Sequence, residues 1–482
     1  MAAADTRRRS FSLGEQLAIA ACAATVALLA VRGLGDRSLW RDEGLSAVAA
    51  TGSFGEFRAD VRFEPQFALY NGLLRGWAVF GSSEFMLRLM SLVFAVATVP
   101  VVYAIARRLF GKRVAVIAAA LLTLNRLFLG YAREARPYAF ALLLVSVATL
   151  CLLRALDKPD DGSHWSIWVL TAAAAALSHP FVGGTAVFAH IAVLIARRRS
   201  IPWRTIVVRA ALPATVVGAA WLFMFHFGTA QLDWIPPNTL KGALYVGYSL
   251  VGDTKRLVVG YALGLVVLAV TAVRSDDART YRLATNSAMV ACFFITPFAV
   301  AIMASTVQPL LIDRYFIAMV PPLVILVAAG LGQLRPTSAI LATTAVLALS
   351  IPTALSVQVS PKQDWRSAAA IIVASARQDD VVVGAPVGIA ALRYYLDRAG
   401  RPSPLAMDGD PFLEQKLGRA QPCHLGVVWI IGDRVESGEP VRRFLAATHE
   451  VVRSVALEGL TVLRLERRAT AGPTRPIAES CS

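Results

Sequence analysis

Eleven predominantly apolar runs, all but one about 17–22 residues long, succeed one another through the first 357 residues of this 482-residue chain. A run of that length crosses the hydrocarbon core as a helix, and in lipid a helix satisfies every backbone amide within its own segment. The runs lie near 13–32, 85–106, 113–129, 137–155, 165–182, 184–197, 206–226, 257–273, 284–304, 316–333 and 337–357. They predict a polytopic α-helical membrane protein. Composition agrees, because 56% hydrophobic and 17% charged residues with a mean hydropathy of +0.57 exclude a soluble domain of this size. The first run, "LAIAACAATVALLAV", leads into Gly-Leu-Gly-Asp rather than a small-residue cleavage site, so it reads as a retained helix.

Basic residues then set the orientation. "RRR" at 7–9, "RRLFGKR" at 107–113, "RRRSIPWR" at 197–204, "RSDDARTYR" at 274–282 and Arg335 all fall on one side of these spans. The positive-inside rule makes that side cytoplasmic. The net charge of +16 is therefore a topology signal; no basic face interleaved with aromatics appears, and a nucleic-acid partner is excluded. An odd number of spans places the tail, 358–482, outside. It reads as an α/β domain: "DDVVVGAPVGIAALRYYLDRAG" as strand, turn and helix, "HLGVVWIIGDR" as a strand, "VVRSVALEGLTVLRLER" as a hairpin. Its Cys423 and Cys481 would meet a disulfide-permissive compartment and could pair, whereas Cys22, Cys151 and Cys292 fall in spans.

Polar chemistry gathers at the outer ends of the spans. The first external loop, 33–84, is long and carries apolar residues at helical spacing, which predicts helices along the membrane surface. It contains Asp42 and Glu43 in "LWRDEG" and Glu64 in "FEPQF"; "YAREARPYA" supplies Arg133, Glu134, Arg136 and Tyr138, and "IDRYF" supplies Asp313 and Arg314. Charge at that depth needs a partner or a polar cavity, so these residues predict a site at the outer face. Carboxylates there can take a proton from a hydroxyl, and guanidiniums can grip a phosphate. Each also has a plainer reading. Asp42 could cap a helix, Glu43 could be a first-turn carboxylate, Glu134 could pair with a neighbouring arginine, and Arg314 could snorkel. His179 in "LSHPFVGG" reads first as a hydrogen-bonded structural histidine. No group has metal-ligand spacing, so no metal is expected, and no glycine-rich phosphate loop points to a nucleotide-sugar or other cofactor.

The stretches "LWRDEG", "FEPQFALY", "YAREARPYA", "DRYFIAMVPPLVILVAAGL" and "KQDWRSAAA" resemble the polyprenyl-phosphate-dependent membrane glycosyltransferases of the C-type (GT-C) fold. The similar branch is the one related to protein O-mannosyltransferases and lipid A aminoarabinose transferase, and the resemblance covers about residues 10–370. It implies a transmembrane glycosyltransferase domain over 1–357, followed by an extracytoplasmic α/β domain over 358–482. It further implies inverting transfer of a sugar, mannose or an arabinose-type pentose, from a polyprenyl-phosphate carrier. The acceptor would be an envelope glycan, glycolipid or exported protein at the outer face of the plasma membrane. Asp42 matches the general base, with Glu43 orienting the base or acceptor. Arg136 and Arg314, with Arg133 in reserve, are the carrier-phosphate candidates. Glu64, Glu134, Tyr138 and His179 fall on the acceptor and substrate side. Two departures stand out: Glu64-Pro65-Gln66 replaces a common His-Pro-Pro, and Arg133 replaces a common Gln. A transporter would show repeats and mid-span charges, which this chain lacks; a non-catalytic lipid-binding scaffold is the other alternative.

Overall fold

The computed structural model describes residues 11–227, 235–273, 277–304, 306–359, 362–377, 380–384, 389–400, 405–407, 427–432 and 449–468. Helix α1 (Leu13–Val31) is followed by three shorter helices, α2 (Arg41–Thr51), α3 (Phe54–Phe63) and α4 (Ala68–Trp77). Long α5 (Glu84–Phe110) leads into α6 (Lys112–Thr123) and α7 (Arg126–Ala132), a pair bent by 61°. Then come α8 (Tyr138–Asp157), α9 (Gly162–Ser178), α10 (Pro180–Ala196), α11 (Trp203–Phe227), α12 (Leu240–Val251), α13 (Lys255–Val273) and α14 (Ala278–Ala304). A 3-10 turn, Asp313–Met319, runs into α15 (Val320–Leu331), and α16 (Pro336–Ser356) ends the apolar series. The remainder is α17 (Trp365–Ser375), β1 (Val381–Gly384), α18 (Ile389–Arg398), β2 (Leu405–Met407), β3 (Val427–Gly432), β4 (His449–Leu457) and β5 (Leu460–Arg467).

All eleven predicted runs are helical, with refinements. Eight are long and apolar enough to cross a membrane, among the described residues. The third run is the bent pair, because Asn125 stops α6 and caps α7, its side chain accepting from Phe128 N at 3.0 Å. The fifth and sixth runs are the 17-residue helices α9 and α10, separated at His179-Pro180, where proline takes the first position of α10. The chain is a multi-pass membrane protein.

The chain forms two compact units. The first comprises Met1–Arg32, Glu64–Tyr70 and Leu89–Val359. Small residues let its helices approach closely, which is how helices associate where lipid removes the hydrophobic drive. A Cβ on Gly330 of α15 would fall 1.8 Å from Gly264 O of α13, and one on Gly183 of α10 would fall 2.2 Å from the Ala175 carbonyl carbon of α9. Between α8, α9 and α10, Trp168 donates to His190 Nδ1 (3.2 Å), which leaves the His190 Nε2 proton for Thr149 Oγ1 (3.0 Å). That histidine is a satisfied core residue.

The second unit comprises Gly33–Phe63, Asn71–Arg88 and Ser360–Ser482. Its five-stranded sheet has the order β2-β1-β3-β5-β4, parallel across β2, β1 and β3 and antiparallel from β3 to β4. The strand, helix and hairpin expected in the tail are present, and the hairpin turns at Gly459 with φ +63°. The short strand β2 was not foreseen. The loop of 33–84, taken from sequence as part of the membrane domain, contributes α2 and α3 to this second unit. Cys423 and Cys481 lie outside the described residues; Cys22, Cys151 and Cys292 are free thiols.

Candidate active site

In the first unit the polar residues collect around His179. This residue ends α9 and caps α10, its Nδ1 accepting from Val182 N at 3.4 Å. Since Nδ1 accepts, the neutral ring carries its proton on Nε2. His179 is 3% exposed, and among the described residues its Nε2 has no hydrogen-bond partner. Three rings wall it in, with centroids at 5.1 Å (Tyr138), 5.2 Å (Tyr315) and 5.4 Å (Phe67). The Arg136 guanidinium lies 4.6 Å from the Phe67 centroid, a cation–π contact, and its Nη1 is 3.5 Å from Glu64 Oε2. Arg136 and Arg314 both act electrostatically on His179. Asp313, Arg314 and Glu134 do so on Tyr131, whose ring lies 4.6 Å from that of Tyr138.

This cluster brings together Glu64, Glu134, Arg136, Tyr138, His179 and Arg314 from residues far apart in sequence. Backbone chemistry explains how. Arg136 follows Glu134-Ala135 in a tight turn, with Arg136 N donating to Glu134 O at 2.8 Å, and its own carbonyl receives the Ser91 hydroxyl at 3.4 Å. Asp313 opens the 3-10 turn, accepts from Arg314 N at 2.7 Å and takes the Ser249 hydroxyl of α12 at 3.0 Å. Arg133 is placed differently. Its Nη1 donates to the carbonyls of Ala30 (2.6 Å) and Arg32 (2.7 Å), the C-terminal end of α1, where a cation meets the negative end of the helix dipole.

In the second unit Asp42 and Glu43 occupy the first turn of α2. The Asp42 side chain is 14% exposed, and its Oδ1 lies 3.4 Å from Arg41 Nε. Glu43 is fully buried in a two-point pair with Arg88: Nε to Oε1 at 2.8 Å and Nη2 to Oε2 at 2.7 Å. The other three N–H groups of Arg88 donate to Leu34 O, Arg37 O and Ser38 O, each at 2.9 Å. All five donors of that guanidinium are engaged. Glu43 also takes Trp40 N at 3.4 Å, the back half of a capping box. The pair therefore fixes the chain entering α2.

Arg88 was missed as a site residue, although a signal existed: it is a cation four residues into the α5 segment "EFMLRLMSLVF", where charge needs a reason. Tyr315 and Phe67 were also missed, because aromatics at an interface carry no distinguishing pattern. No cluster of three metal-ligating side chains occurs among the described residues.

Residues 74–224 match the family model described as dolichyl-phosphate-mannose-protein mannosyltransferase. Among solved structures the chain is similar to ArnT from Cupriavidus metallidurans in the apo state. Identity is 16% and the TM-score 0.61, over 96% of this chain and 99% of that one. The same protein bound to undecaprenyl phosphate is similar at 15% identity and a TM-score of 0.58, over 96% and 100%. The apo oligosaccharyltransferase of Archaeoglobus fulgidus is similar at 12% identity and a TM-score of 0.53, over 86% of this chain and 69% of that one. No curated protein sequence matches. These likenesses establish the GT-C fold. Together with the family match they support a membrane glycosyltransferase.

Proposed function

We propose that this protein moves a sugar from a polyprenyl-phosphate carrier to a hydroxyl acceptor, with inversion at the anomeric carbon, at the outer face of the plasma membrane. The observation that carries the reading is the cluster around His179: a buried imidazole whose Nε2 has no hydrogen-bond partner among the described residues, with the Arg136 guanidinium on the neighbouring Phe67 ring and half-buried Arg314 close enough to act on it electrostatically. Charge inside a membrane protein marks a functional site, and guanidiniums beside a buried imidazole donor are groups that can grip a lipid-linked phosphate.

Arg136 and Arg314 hold the phosphate, with Arg133 as the reserve cation. The Arg136–Glu64 contact of 3.5 Å is at the limit of hydrogen bonding, so a phosphate oxygen can compete for that guanidinium. Glu64, Glu134, Tyr138 and the Nε2 proton of His179 orient substrate hydroxyls. Asp42 is the general base. As the acceptor oxygen bonds to the anomeric carbon, its proton passes to the Asp42 carboxylate. The bond from that carbon to the carrier oxygen breaks, and polyprenyl phosphate leaves with the electron pair. Phosphate is a good leaving group, so positioning and charge stabilisation are most of what the protein must supply. Glu43 acts on the base through Arg88 and the α2 entry. The donor sugar is mannose or an arabinose-type pentose, and the acceptor is an envelope glycan, glycolipid or exported protein. No metal or further cofactor enters the proposal.

The test is transfer by purified wild type and Asp42→Asn, supplied with a panel of polyprenyl-phospho-sugars and an envelope extract. Wild type is expected to transfer one sugar with inversion. A folded Asp42→Asn should lose about 10²–10⁴-fold in kcat, the usual worth of a general base. Turnover by Asp42→Asn within a few-fold of wild type would overturn the assignment.

A further inference from the structure

Helix α2, which carries Asp42, begins poorly by the ordinary rules. Its N-cap is Trp40, whose indole donates but cannot accept, so this side chain offers nothing to the first amides of the helix. The acceptors come from residues more than 300 positions later in the same compact unit. Arg41 N, the first amide of α2, donates to Gln363 Oε1 at 3.3 Å, across 322 residues of sequence. Leu39 N donates to the Tyr395 hydroxyl at 2.7 Å. Arg366 completes the hold: its backbone N donates to Ser38 Oγ at 3.1 Å, and its guanidinium donates to Gly35 O and Asp36 O at 3.0 Å each and to Glu84 Oε1 at 2.8 Å. Lys362 lies over the Trp40 ring at 4.9 Å. One turn inward, α2 meets α18 almost backbone to backbone. A Cβ on Gly44 would lie 2.4 Å from Ala391 N and 2.5 Å from its Cα.

Apart from the Arg366–Glu84 pair, each contact falls on residues 35–44, the stretch that sets where the Asp42 carboxylate stands. The side chains that make them come from the tail that the sequence presents as a separate domain. A general base works only within hydrogen-bond reach of the proton it takes, and an error of about 1 Å costs roughly 10²-fold in rate. We propose that Gln363, Arg366 and Tyr395 are positioning residues for Asp42, and that the C-terminal α/β segment serves as the mount of the base helix. This rests on the reading of Asp42 as the base. The mount acts on the chemical step and not on the grip of the carrier, since the phosphate candidates Arg136 and Arg314 belong to the other compact unit.

The test compares full-length wild type, Gln363→Ala, Gln363→Glu, Tyr395→Phe and Asp42→Asn, in one lipid-linked sugar assay and by amide hydrogen exchange over residues 34–44. Gln363→Ala and Tyr395→Phe should each lower kcat by about 10-fold or more, with the donor KM within twofold of wild type. Exchange over 34–44 should quicken in both. Gln363→Glu still offers a carboxylate oxygen to Arg41 N at a helix N-terminus and should keep near-wild-type kcat. That rescue separates the lost acceptor from any general loss of fold, and it keeps the test sound if Tyr395→Phe proves unstable. If Asp42→Asn is inactive while Gln363→Ala and Tyr395→Phe turn over like wild type, the mount fails and the base stands. If Asp42→Asn turns over normally, both fall. Unchanged exchange over 34–44 in both variants also overturns the proposal.

Discussion

Asp42 and Glu43 are neighbours in sequence and opposites in environment. Successive helical residues point about 100° apart, so the turn that leaves Asp42 at 14% side-chain exposure drives Glu43 inward to none. The sequence "RDEG" shows two carboxylates and nothing to tell them apart; only the partner does, and Arg88 lies 45 residues on. The consequence is testable at Arg88. Arg88→Met keeps the volume but leaves Glu43 charged without its counter-charge in a dry interior, which costs about 3–5 kcal/mol. Thermal unfolding in detergent should show Arg88→Met well below wild type, and Arg88→Met with Glu43→Leu should recover most of the loss, since removing both charges removes the uncompensated one. Additive losses would mean that the pair does not hold the α2 entry. His179 teaches the converse. Its sequence context suggests a structural histidine, and the Nδ1 cap on Val182 is structural, but the same bond also fixes the tautomer, placing the ring proton on Nε2. No sequence pattern carries a tautomer.

At the scale of elements, the long helices were legible because lipid imposes length and apolarity together, and each of the eleven runs is helical. What escaped was where a run breaks. Residues 113–129 look continuous in hydropathy, yet Asn125 turns its side chain on Phe128 N and sends its amide to Leu250 O at 2.8 Å, ending one helix and starting another. The tightness of helix crossings escaped too, since a glycine within an apolar run looks the same whether it faces lipid or a neighbour. Gly330 faces Gly264 so closely that Gly330→Ala would place its methyl within 1.8 Å of a backbone oxygen. Backbone cannot rotate away as a side chain can. The variant should therefore separate α13 from α15 and lose about 1–3 kcal/mol, the cost of overpacking. A melting temperature in detergent several degrees below wild type is the expected result. An unchanged value would mean that the two helices slide at little cost.

For the whole molecule, chain order and spatial grouping disagree. Read along the sequence, a membrane domain ends near 357 and an appendage follows; in space, residues 33–63 and 71–88 group with 360–482. The disagreement has a physical source. The loop sequence "RDEGLSAVAAT" is mostly small residues, which bury little area on their own and gain by close approach to another backbone, here α18 at Ala391. Hydropathy cannot show that partner, because nothing in a run of alanines names the helix it will meet. The grouping makes a prediction that the linear reading does not. A chain ending at Val359 loses the acceptors for Leu39 N and Arg41 N, the Arg366 contacts to Gly35, Asp36 and Ser38, the Arg393 pair with Glu56, and the surface opposite Gly44. What stays behind includes the Arg88–Glu43 pair, Asn71 donating to Asp60, and Arg75, which lies over the Phe57 ring and donates to Ala49 O and Gly52 O at the far end of α2. Contacts of that kind do not offset the conformational entropy of about thirty ordered residues, at roughly 1–2 kcal/mol each. Limited proteolysis of the truncated protein in lipid nanodiscs should therefore cut first within 33–63, at least tenfold faster than in the full chain, while α5 to α16 stay protected. Equal resistance of 33–63 in both chains would show that the loop folds on its own and that the tail is the appendage the linear reading supposes.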